Sequence, residues 1–454
     1  FETIESRSVL PSTVPGAIQA SLPTSAPVEP EAMDDILSDF DALIAPGLTH
    51  WNHPAFFAYF AVTGSLPGVL AESLSAALNV NAMLWRTSPA ATELETVTLD
   101  WLRQLLALPA AFEGVVYDTA SISTLVAIAA AREATGRDIR RKGLSGRADL
   151  PALRLYCSEE AHSSVDKAAI TLGIGTDGVR KIPTDSDFRM DPSALRNSIE
   201  QDLVEDRLPF CVVATVGTTS TTSIDPVSKI AQLARDYGLW LHVDAAYGGI
   251  AAIVPEMRWV LEGVDQADSF VTNPHKWLFT QIDFSAFYSR RLDVVRQAFS
   301  LVPEYLRTSD DASRNYMDYG PQLGRRFRAL KLWFVLRYFG KEGIEGRLRE
   351  HIRLAAEFAA WVDDSPDWEL IAPVPFSTVC FRARPRGSAE ESLDVLNQQI
   401  MNKVNEQGDA FLSHTRLRDH LTLRLAVGNI RTEERHVRAA WDSLKRALDD
   451  ILKV

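Results

Sequence analysis

Between about residues 66 and 345, short apolar runs alternate with stretches that have helical spacing. The run at 211–216 predicts a buried strand, Asp225 and Pro226 predict an N-cap and first turn of a helix, and 240–244 predicts the next strand. Strands that alternate with helices of this length indicate a largely parallel, doubly wound sheet. The fold class is therefore predicted to be α/β, and residues that follow the strands are expected to meet at one edge of the sheet.

The segments on either side of this region differ in composition. The first 65 residues contain several prolines and one stretch with helical spacing at 32–44, which is too small to build a core of its own. We therefore expect an N-terminal helical arm over residues 1–65 that packs on a partner subunit. Residues 66–345 form the large domain in this prediction, and residues 346–454 form a smaller α+β domain.

Charge and composition exclude several classes of function. The chain carries 47 Lys and Arg against 60 Asp and Glu, and this formal net charge of −13 argues against nucleic acid as a partner, because phosphate binding needs a basic surface. No apolar run approaches the ~20 residues that a membrane helix needs, and no signal peptide is visible. The three cysteines have neither zinc nor disulfide spacing. A cytoplasmic enzyme without a metal site is expected.

A lysine follows the predicted strand at 267–272, in the run Asn-Pro-His-Lys-Trp at 273–277. The proline prevents the strand from continuing, so Lys276 is expected in the turn at its carboxyl end, where α/β proteins usually bind ligands. Asp244 ends another strand and is followed by small residues. The two side chains could grip opposite sides of a planar molecule, as pyridoxal phosphate requires. A structural ion pair between them is the alternative.

Two further groups are expected at strand ends. His162 is expected either to stack on a bound ring or to cap the helix that follows it. Thr119, Ala120 and Ser121 precede a predicted helix at 123–135. A helix N-terminus of this kind suits a phosphate, through its free N–H groups, and it equally suits ordinary N-capping.

Several separated runs resemble, in order, those of the group II pyridoxal-phosphate decarboxylases, most closely the aromatic-L-amino-acid decarboxylases. The similarity extends nearly from end to end of the chain. The runs lie at 46–51, 56–60, 88–95, 161–164, 217–219, 242–247, 273–277, 323–328 and 421–425. The resemblance implies the pyridoxal-phosphate fold type I, with a mostly parallel central sheet of the seven-stranded type and an α+β C-terminal domain. It also implies a homodimer with its active sites at the subunit interface.

The resemblance implies roles for individual residues. Lys276 would form the Schiff base and Asp244 would pair with the pyridine nitrogen, while Ala246 and His162 would cover the two faces of the ring. The phosphate and the substrate-facing side of the cofactor would be contacted by Thr119, Ala120, Ser121, Thr219, Asn273 and His275. The aromatic substrate wall would consist of Trp51, Tyr59 and Phe60.

A tyrosine shortly before the Gly-Arg-Arg run at 324–326 decides the reaction in this family, because it protonates the substrate carbon. Tyr316 stands at the matching position, on a loop from about residue 306 to 321 that is expected to close over the substrate. Related aldehyde synthases tend to replace this tyrosine or the stacking histidine, and this chain keeps Tyr316 and His162. We therefore expect decarboxylation of tyrosine, DOPA, tryptophan or phenylalanine to the amine and carbon dioxide.

Several alternatives stay open on the sequence alone. An aromatic aldehyde synthase would use the same residues oxidatively. Arg86 replaces a small residue near the substrate wall and is expected either to form an exposed or interface ion pair or to recognise an acidic substrate, which keeps an acidic amino-acid decarboxylase open. A cofactor-free binding relative is disfavoured because Lys276, Asp244 and His162 are retained together. An aminotransferase is disfavoured by the loop around Tyr316.

Overall fold

In the computed structural model, which describes residues 3–301 and 314–453, a seven-stranded sheet forms the centre of the fold. Its strands are β1 (Glu113–Tyr117), β2 (Leu153–Ser158), β3 (Val179–Ile182), β4 (Leu208–Thr215), β5 (Trp240–Asp244), β6 (Ser269–Thr272) and β7 (Ser285–Ser289). The spatial order is β1-β7-β6-β5-β4-β2-β3, and β7 runs antiparallel to both of its neighbours while the other pairs are parallel. The predicted α/β class and the mostly parallel seven-stranded sheet are confirmed.

Helices account for most of the remaining regular structure. In chain order the α-helices of the described residues are α1 (Ala17–Ser21), α2 (Met33–Asp39), α3 (Leu66–Leu78), α4 (Pro89–Leu105), α5 (Ala120–Ala134), α6 (Ile139–Lys142), α7 (Ser164–Thr171), α8 (Pro192–Val204), α9 (Val227–Asp236), α10 (Pro274–Trp277), α11 (Leu292–Phe299), α12 (Ala329–Asp363), α13 (Glu390–Gln407) and α14 (Glu434–Leu452). Within this part of the chain, no helix combines the length and apolarity that crossing a bilayer requires.

The helices pack on both faces of the large sheet because its strands are buried on both sides. In β4, Val212 and Ala214 face a core that includes residues of α4, α8, α9 and α12. The alternate residues Cys211 and Val213 face a second core, which includes residues of α5, α7 and α11. Near-continuous apolar strands of this kind made the doubly wound arrangement predictable.

A second sheet of four antiparallel strands lies towards the C-terminus. Its strands are β8 (Trp368–Leu370), β9 (Thr378–Ala383), β10 (Ser413–Leu417) and β11 (His420–Ala426), in the spatial order β10-β11-β9-β8. Helices α13 and α14 share a core with it, in which Phe358 contacts Phe381 and Trp441 edge to face. This part of the chain has the predicted α+β character.

Helix α12 crosses the point at which the sequence predicts the domain boundary, between residues 345 and 346. It kinks at Gly340, whose φ of 62° and ψ of 174° are non-helical. The helix predicted at 347–362 is therefore the second part of a longer element. The first part packs against α3 and α4, on the large-sheet side.

The first 65 residues are only partly an exposed arm. Helix α2 and the turn after it carry exposed apolar side chains, including Met33, Leu37 and Phe40. By contrast, Phe57 is buried, its N–H donates to the carbonyl of Phe411, and its own carbonyl accepts from the N–H of Ala426. This stretch of the predicted arm packs on the small sheet of its own chain, because its apolar residues complete that core.

Asp225 does not cap the helix that follows it, which the sequence led us to expect. Its buried carboxylate accepts hydrogen bonds from the N–H groups of Met190 (2.7 Å) and Thr215 (2.8 Å). Helix α9 begins at Val227 without a side-chain cap. The aspartate therefore ties the end of β4 to the loop before α8.

Candidate active site

The carboxyl ends of β5 and β6 lie side by side at one edge of the large sheet. The two strands are parallel, with Asp244 opposite Val271, and Asn273 follows β6 directly. Ala246 connects the two chain ends: its N–H donates to Asp244 Oδ1 at 3.0 Å, and its carbonyl accepts from the N–H of Asn273 at 2.9 Å. Residues predicted to bind the ring and the phosphate are thus adjacent.

Lys276 lies in the short helical turn α10, where its N–H donates to the carbonyl of Asn273 at 2.9 Å. Burial lowers the pKa of its amine, and the nearby charge of Asp244 acts in the opposite direction. No carboxylate of the described residues lies within 4 Å of Nζ, so Lys276 and Asp244 do not form the ion pair that the sequence left open. A buried, unpaired lysine loses its proton more readily than a surface lysine, and a nucleophilic amine requires this.

His162 faces the same charged groups. Its pKa is lowered chiefly by burial and next by the charge of Lys276, whereas Asp244 raises it. Its Nδ1 accepts a hydrogen bond from the N–H of Ser164 at 3.2 Å, so the histidine also caps the helix that follows it. The lowered pKa keeps the ring neutral near pH 7, and the proton of the neutral ring is then on Nε2.

The first turn of α5 offers N–H groups to a ligand. Thr119 is the N-cap residue, but its side chain makes no capping hydrogen bond and instead contacts the carboxylate of Asp118 at 3.3 Å. The N–H groups of Ala120 and Ser121 receive no acceptor from the part of the chain that the structure describes. Free N–H groups and the positive end of the helix dipole together suit a phosphate.

His275 and Asn273 extend this donor set. Burial lowers the pKa of His275 to about 3, its Nδ1 accepts from the N–H of Phe284 at 2.9 Å, and its Nε2 lies 3.3 Å from Asn273 Nδ2. Asn273 Oδ1 accepts from the hydroxyl of Ser285 at 2.7 Å, and that hydroxyl contacts Ser123 in the first turn of α5 at 2.9 Å. These contacts bring both side chains next to the N-terminus of α5.

Phe60 is the member of the predicted substrate wall that lies beside the lysine. The centroid of its ring is 5.2 Å from Lys276 Nζ. The ring stacks on Tyr247 at 4.0 Å, and Tyr247 stacks on Trp277 at 4.8 Å, so three aromatic rings form one column beside the amine.

Trp51 and Tyr59 form a second aromatic group on the surface. Their rings stack at 6.0 Å, and they are 39% and 53% exposed. Phe56 and Phe411 support them from below, with Phe411 edge-on to Tyr59. The predicted wall is therefore split into a buried ring at the lysine and two exposed rings beside it.

Arg424 connects these parts, although the sequence did not single it out as a site residue. Its buried guanidinium donates to the carbonyls of Thr219 (2.9 Å), Ser220 (2.8 Å) and Tyr59 (3.4 Å). It also lies 5.2 Å from the ring of Phe60. The sequence signal that could have found it is an arginine inside the apolar run at 421–425. An arginine in such a run is expected to be buried, and a buried arginine needs several hydrogen-bond acceptors.

The structure does not bring Tyr316 to the lysine. Its ring is 2% exposed, its hydroxyl contacts Thr96 at 2.9 Å, and Arg325 lies 4.7 Å above the ring. Burial raises the pKa of this tyrosine to about 12, and the charged groups that act on it are Glu95 and Arg314, not Lys276. Its position does not support the prediction that it protonates the substrate carbon. Residues 306–313, the first half of the predicted lid, lie outside the described residues.

Arg86 is exposed, in a short turn before α4. It forms no ion pair or hydrogen bond with any residue in the described ranges 3–301 and 314–453. The ion-pair interpretation is therefore not realised within this part of the chain. The segment before it is held in place, since the N–H of Met317 donates to the carbonyl of Met83 and Arg325 Nη1 donates to the carbonyl of Ala82.

Residues 15–384 match the sequence model of the pyridoxal-dependent decarboxylase conserved domain. The chain belongs to the pyridoxal-dependent decarboxylase family. It is 40% identical to phenylacetaldehyde synthase from Arabidopsis thaliana, over 100% of this chain and 93% of that protein. It is 41% identical to aromatic-L-amino-acid decarboxylase from Sus scrofa, over 100% of this chain and 94% of that protein. The solved structure of Oryza sativa TDC with PLP and tryptamine superposes with a TM-score of 0.95 at 36% identity, covering 99% of this chain and 94% of that chain.

The chain is thus a pyridoxal-phosphate-dependent enzyme, and the residues at the sheet edge fit that cofactor. An unpaired lysine amine lies near a buried carboxylate, and a neutral histidine faces both. Unpartnered N–H groups at the start of α5 supply donors for the phosphate, and Asn273 and His275 contact each other beside them.

Proposed function

We propose that this enzyme decarboxylates an aromatic L-amino acid to the corresponding amine and carbon dioxide. The observation that carries the proposal is the aromatic column beside Lys276, whose first ring, Phe60, lies 5.2 Å from the amine. Apolar rings can pack on an aromatic side chain of the substrate. Two relatives, the aromatic-L-amino-acid decarboxylase of Sus scrofa and the Oryza sativa structure that holds tryptamine, support the same substrate class.

The roles of the cofactor-binding residues follow from their positions. Pyridoxal phosphate, when bound, supplies an aldehyde that condenses with amines and a protonated ring that takes up the electron pair of the broken bond. Lys276 would hold the aldehyde through its uncharged amine. Asp244 would hold the proton at the ring nitrogen, and Ala246 and His162 would cover the two faces. The phosphate would be held by the first turn of α5 with Asn273 and His275.

The substrate carboxylate would lie in surroundings that do not solvate it well. Phe60 is 9% exposed and continues into the buried rings of Tyr247 and Trp277. Exclusion of water from one side of a carboxylate favours its loss as neutral carbon dioxide. The neutral His162 can keep a proton at Nε2 without adding a charge that would stabilise the carboxylate. Thr219, held through its carbonyl by Arg424, would line the substrate side.

An aldehyde synthase that forms peroxide and ammonia is the second reaction to test, because one 40% identical relative carries the name phenylacetaldehyde synthase. The chain keeps His162, which we expect to favour the amine. An acidic amino-acid decarboxylase would need a cation at the substrate. Arg424 already donates to three carbonyls, so Arg86, which has no partner among the described residues, is the cation that such a substrate would have to use.

The proposal is tested by supplying purified holoenzyme with tyrosine, DOPA, tryptophan, phenylalanine, glutamate and aspartate. Carbon dioxide, amine, ammonia and hydrogen peroxide are measured together. We expect one amine for each carbon dioxide from at least one aromatic substrate, without peroxide, and no release from the acidic ones. Bound cofactor with no amine from any aromatic substrate would refute the substrate class, and stoichiometric peroxide would refute the reaction.

We also propose that a second copy of the chain covers the apolar surface of α3. Leu66, Leu70, Leu74 and Leu78 recur every four residues on this helix and are between 48% and 61% exposed. Such a stripe on one face of a helix is typical of an interface and not of a free surface. Exposed apolar residues of α2 add to the surface that the N-terminal arm would bury on its partner.

The oligomeric state tests this interface. We expect light scattering to give a dimer for the unmodified chain and a monomer for the double variant Leu70→Glu, Leu74→Glu. Leu203→Glu is the matched control, since Leu203 is 49% exposed on α8 and outside the stripe. A dimer that persists in the double variant would place the interface elsewhere.

We propose a cytoplasmic location because the three cysteines are unpaired. Cys157, Cys211 and Cys380 are free and buried, and burial raises the pKa of each thiol. Unpaired cysteines are typical of proteins from a reducing compartment.

A further inference from the structure

His242 lies two residues before Asp244 on β5, so both side chains project from the same face of the sheet. The histidine is completely buried, and the charge that acts on its pKa is that of Asp244. Nothing in the proposed handling of the cofactor or the substrate uses this imidazole. The hydrogen bonds around the ring nevertheless decide which of its nitrogens carries the proton.

A chain of buried hydrogen bonds determines which ring nitrogen carries that proton. Trp240 Nε1–H donates to Ser269 Oγ at 2.9 Å, and the same oxygen lies 2.9 Å from His242 Nδ1. The serine hydroxyl has no other acceptor among the described residues, so it donates to Nδ1. Burial lowers the pKa of His242 to about 4, and the neutral ring therefore carries its proton on Nε2.

The Nε2–H of His242 is a buried donor without a partner in the part of the chain that the structure describes. Buried N–H groups of this kind are rare, because the lost hydrogen bond to water is not replaced. The side chains of Trp240 and Ser269 occupy the other side of the ring. The carboxylate of Asp244 lies ahead along the same face of β5, and its Oδ1 already accepts from the N–H of Ala246.

We propose that His242 is a positioning residue for Asp244: its Nε2–H serves the carboxylate through one buried water and holds it oriented towards the cofactor ring nitrogen. The inference rests on the proposed role of Asp244. A hydrogen bond to the charged form of a carboxylate favours that form. A neutral imidazole supplies the bond without cancelling the negative charge, so the full charge of Asp244 remains available to the protonated ring.

The test measures cofactor binding to the apoprotein through quenching of tryptophan fluorescence. Two ligands are compared: pyridoxal phosphate, and an analogue in which a carbon replaces the ring nitrogen. His242→Phe keeps the ring volume and removes the donor, and His242→Gln keeps a donor near the position of Nε2. We expect His242→Phe to weaken binding of pyridoxal phosphate about tenfold, as loss of a hydrogen bond to a charged group does. His242→Gln should bind it close to the unmodified protein.

The analogue separates positioning from packing. Since it has no ring nitrogen for Asp244 to serve, the unmodified protein and His242→Phe should bind it equally. Equal weakening of both ligands, or no rescue by His242→Gln, would overturn the proposal. If His242→Phe does not fold, Ser269→Ala is tested instead, because it keeps the imidazole and removes the hydroxyl that places the proton on Nε2. This variant should bind pyridoxal phosphate more weakly and the analogue equally. Unchanged binding of pyridoxal phosphate would overturn the proposal.

Asp244→Asn distinguishes a failure of this inference from a failure of the proposed function. If Asp244 serves the ring nitrogen, this variant loses affinity for pyridoxal phosphate but not for the analogue. That result combined with normal binding by His242→Phe would overturn the role of His242 alone. Unchanged binding of both ligands by Asp244→Asn would overturn the role of Asp244, and the inference with it.

Discussion

At the scale of single residues, two buried lysines show what selects a reactive amine. Lys331 is 1% exposed, and its Nζ lies 3.0 Å from Glu72 and donates to two backbone carbonyls. Lys276 has no such partners within the described residues. Both have a pKa lowered chiefly by burial, to about 8 for Lys331. Only the unpaired amine can bond to an aldehyde without first breaking an ion pair, so position and partners together identify Lys276.

The identity of the proton donor is a second question at this scale. Tyr316→Phe removes a hydroxyl that contacts Thr96, and we expect it to cost about 1 kcal/mol of stability and to leave the amine product unchanged. The preceding tyrosine in the chain, Tyr305, lies in residues 302–313, outside the described part. We expect Tyr305→Phe to raise aldehyde and peroxide at the expense of amine. The measurement is the ratio of amine to peroxide for each variant.

The two variants serve as controls for each other. A shift to peroxide in Tyr316→Phe, with Tyr305→Phe unchanged, would show that the sequence placed the donor correctly. It would also require Tyr316 to leave its contact with Thr96 during the reaction.

At the scale of elements, apolar patterning predicted most strands and failed where that pattern is absent. β5 has the predicted bounds. β7 was missed because its sequence, Ser-Ala-Phe-Tyr-Ser, contains small and polar residues that are buried only through its place between β1 and β6. β10 was missed because it is an edge strand with exposed polar residues. In both cases the position in the sheet, and not the local sequence, decides the structure.

Two glycines of α12 provide a test of the kink. Gly340 has a backbone conformation that side chains rarely adopt, so Gly340→Ala should destabilise the protein by roughly 1–3 kcal/mol. Gly346 is exposed and helical, and a Cβ there meets no atom within 4 Å. Gly346→Ala should therefore stabilise it by about 1 kcal/mol. Urea unfolding of the two variants checks both values, and equal effects would contradict the kinked helix.

At the scale of the whole molecule, three buried histidines predict acid sensitivity. Burial lowers the pKa of His242 and His351 to about 4 and that of His275 to about 3. The unfolded chain therefore binds protons at a higher pH than the folded chain, near the ordinary value of about 6.5. Stability is complete above that pH and falls as the pH decreases towards about 4, by roughly 3 kcal/mol for each histidine.

His351→Asn isolates one contribution, because the asparagine oxygen can still accept the hydrogen bond from Trp277 Nε1. We expect the urea midpoint of the apoprotein to depend less on pH between about 6.5 and 4 in this variant than in the unmodified chain. His414→Asn, at an exposed position, is the matched control and should leave the slope unchanged. Equal slopes for both variants would contradict the account.

The candidate site was predictable as far as it depends on strand ends. Lys276, Asp244 and His162 follow strands of one parallel sheet, so the sequence order alone brought them to one edge. Arg424 belongs to the second sheet, and only the docking of that sheet carries its guanidinium to Thr219. For Tyr316, the sequence supplied a position in a motif but not the direction of the side chain.

The proposed function depends most on Lys276 as the residue that holds the cofactor. The direct test is to reduce the holoenzyme with borohydride, digest it and locate the pyridoxyl group by mass spectrometry. We predict one modified site, Lys276, with Lys331 unmodified and the visible absorbance bleached in proportion. A pyridoxyl group on Lys331, or a bleached protein without modification at Lys276, would contradict the account.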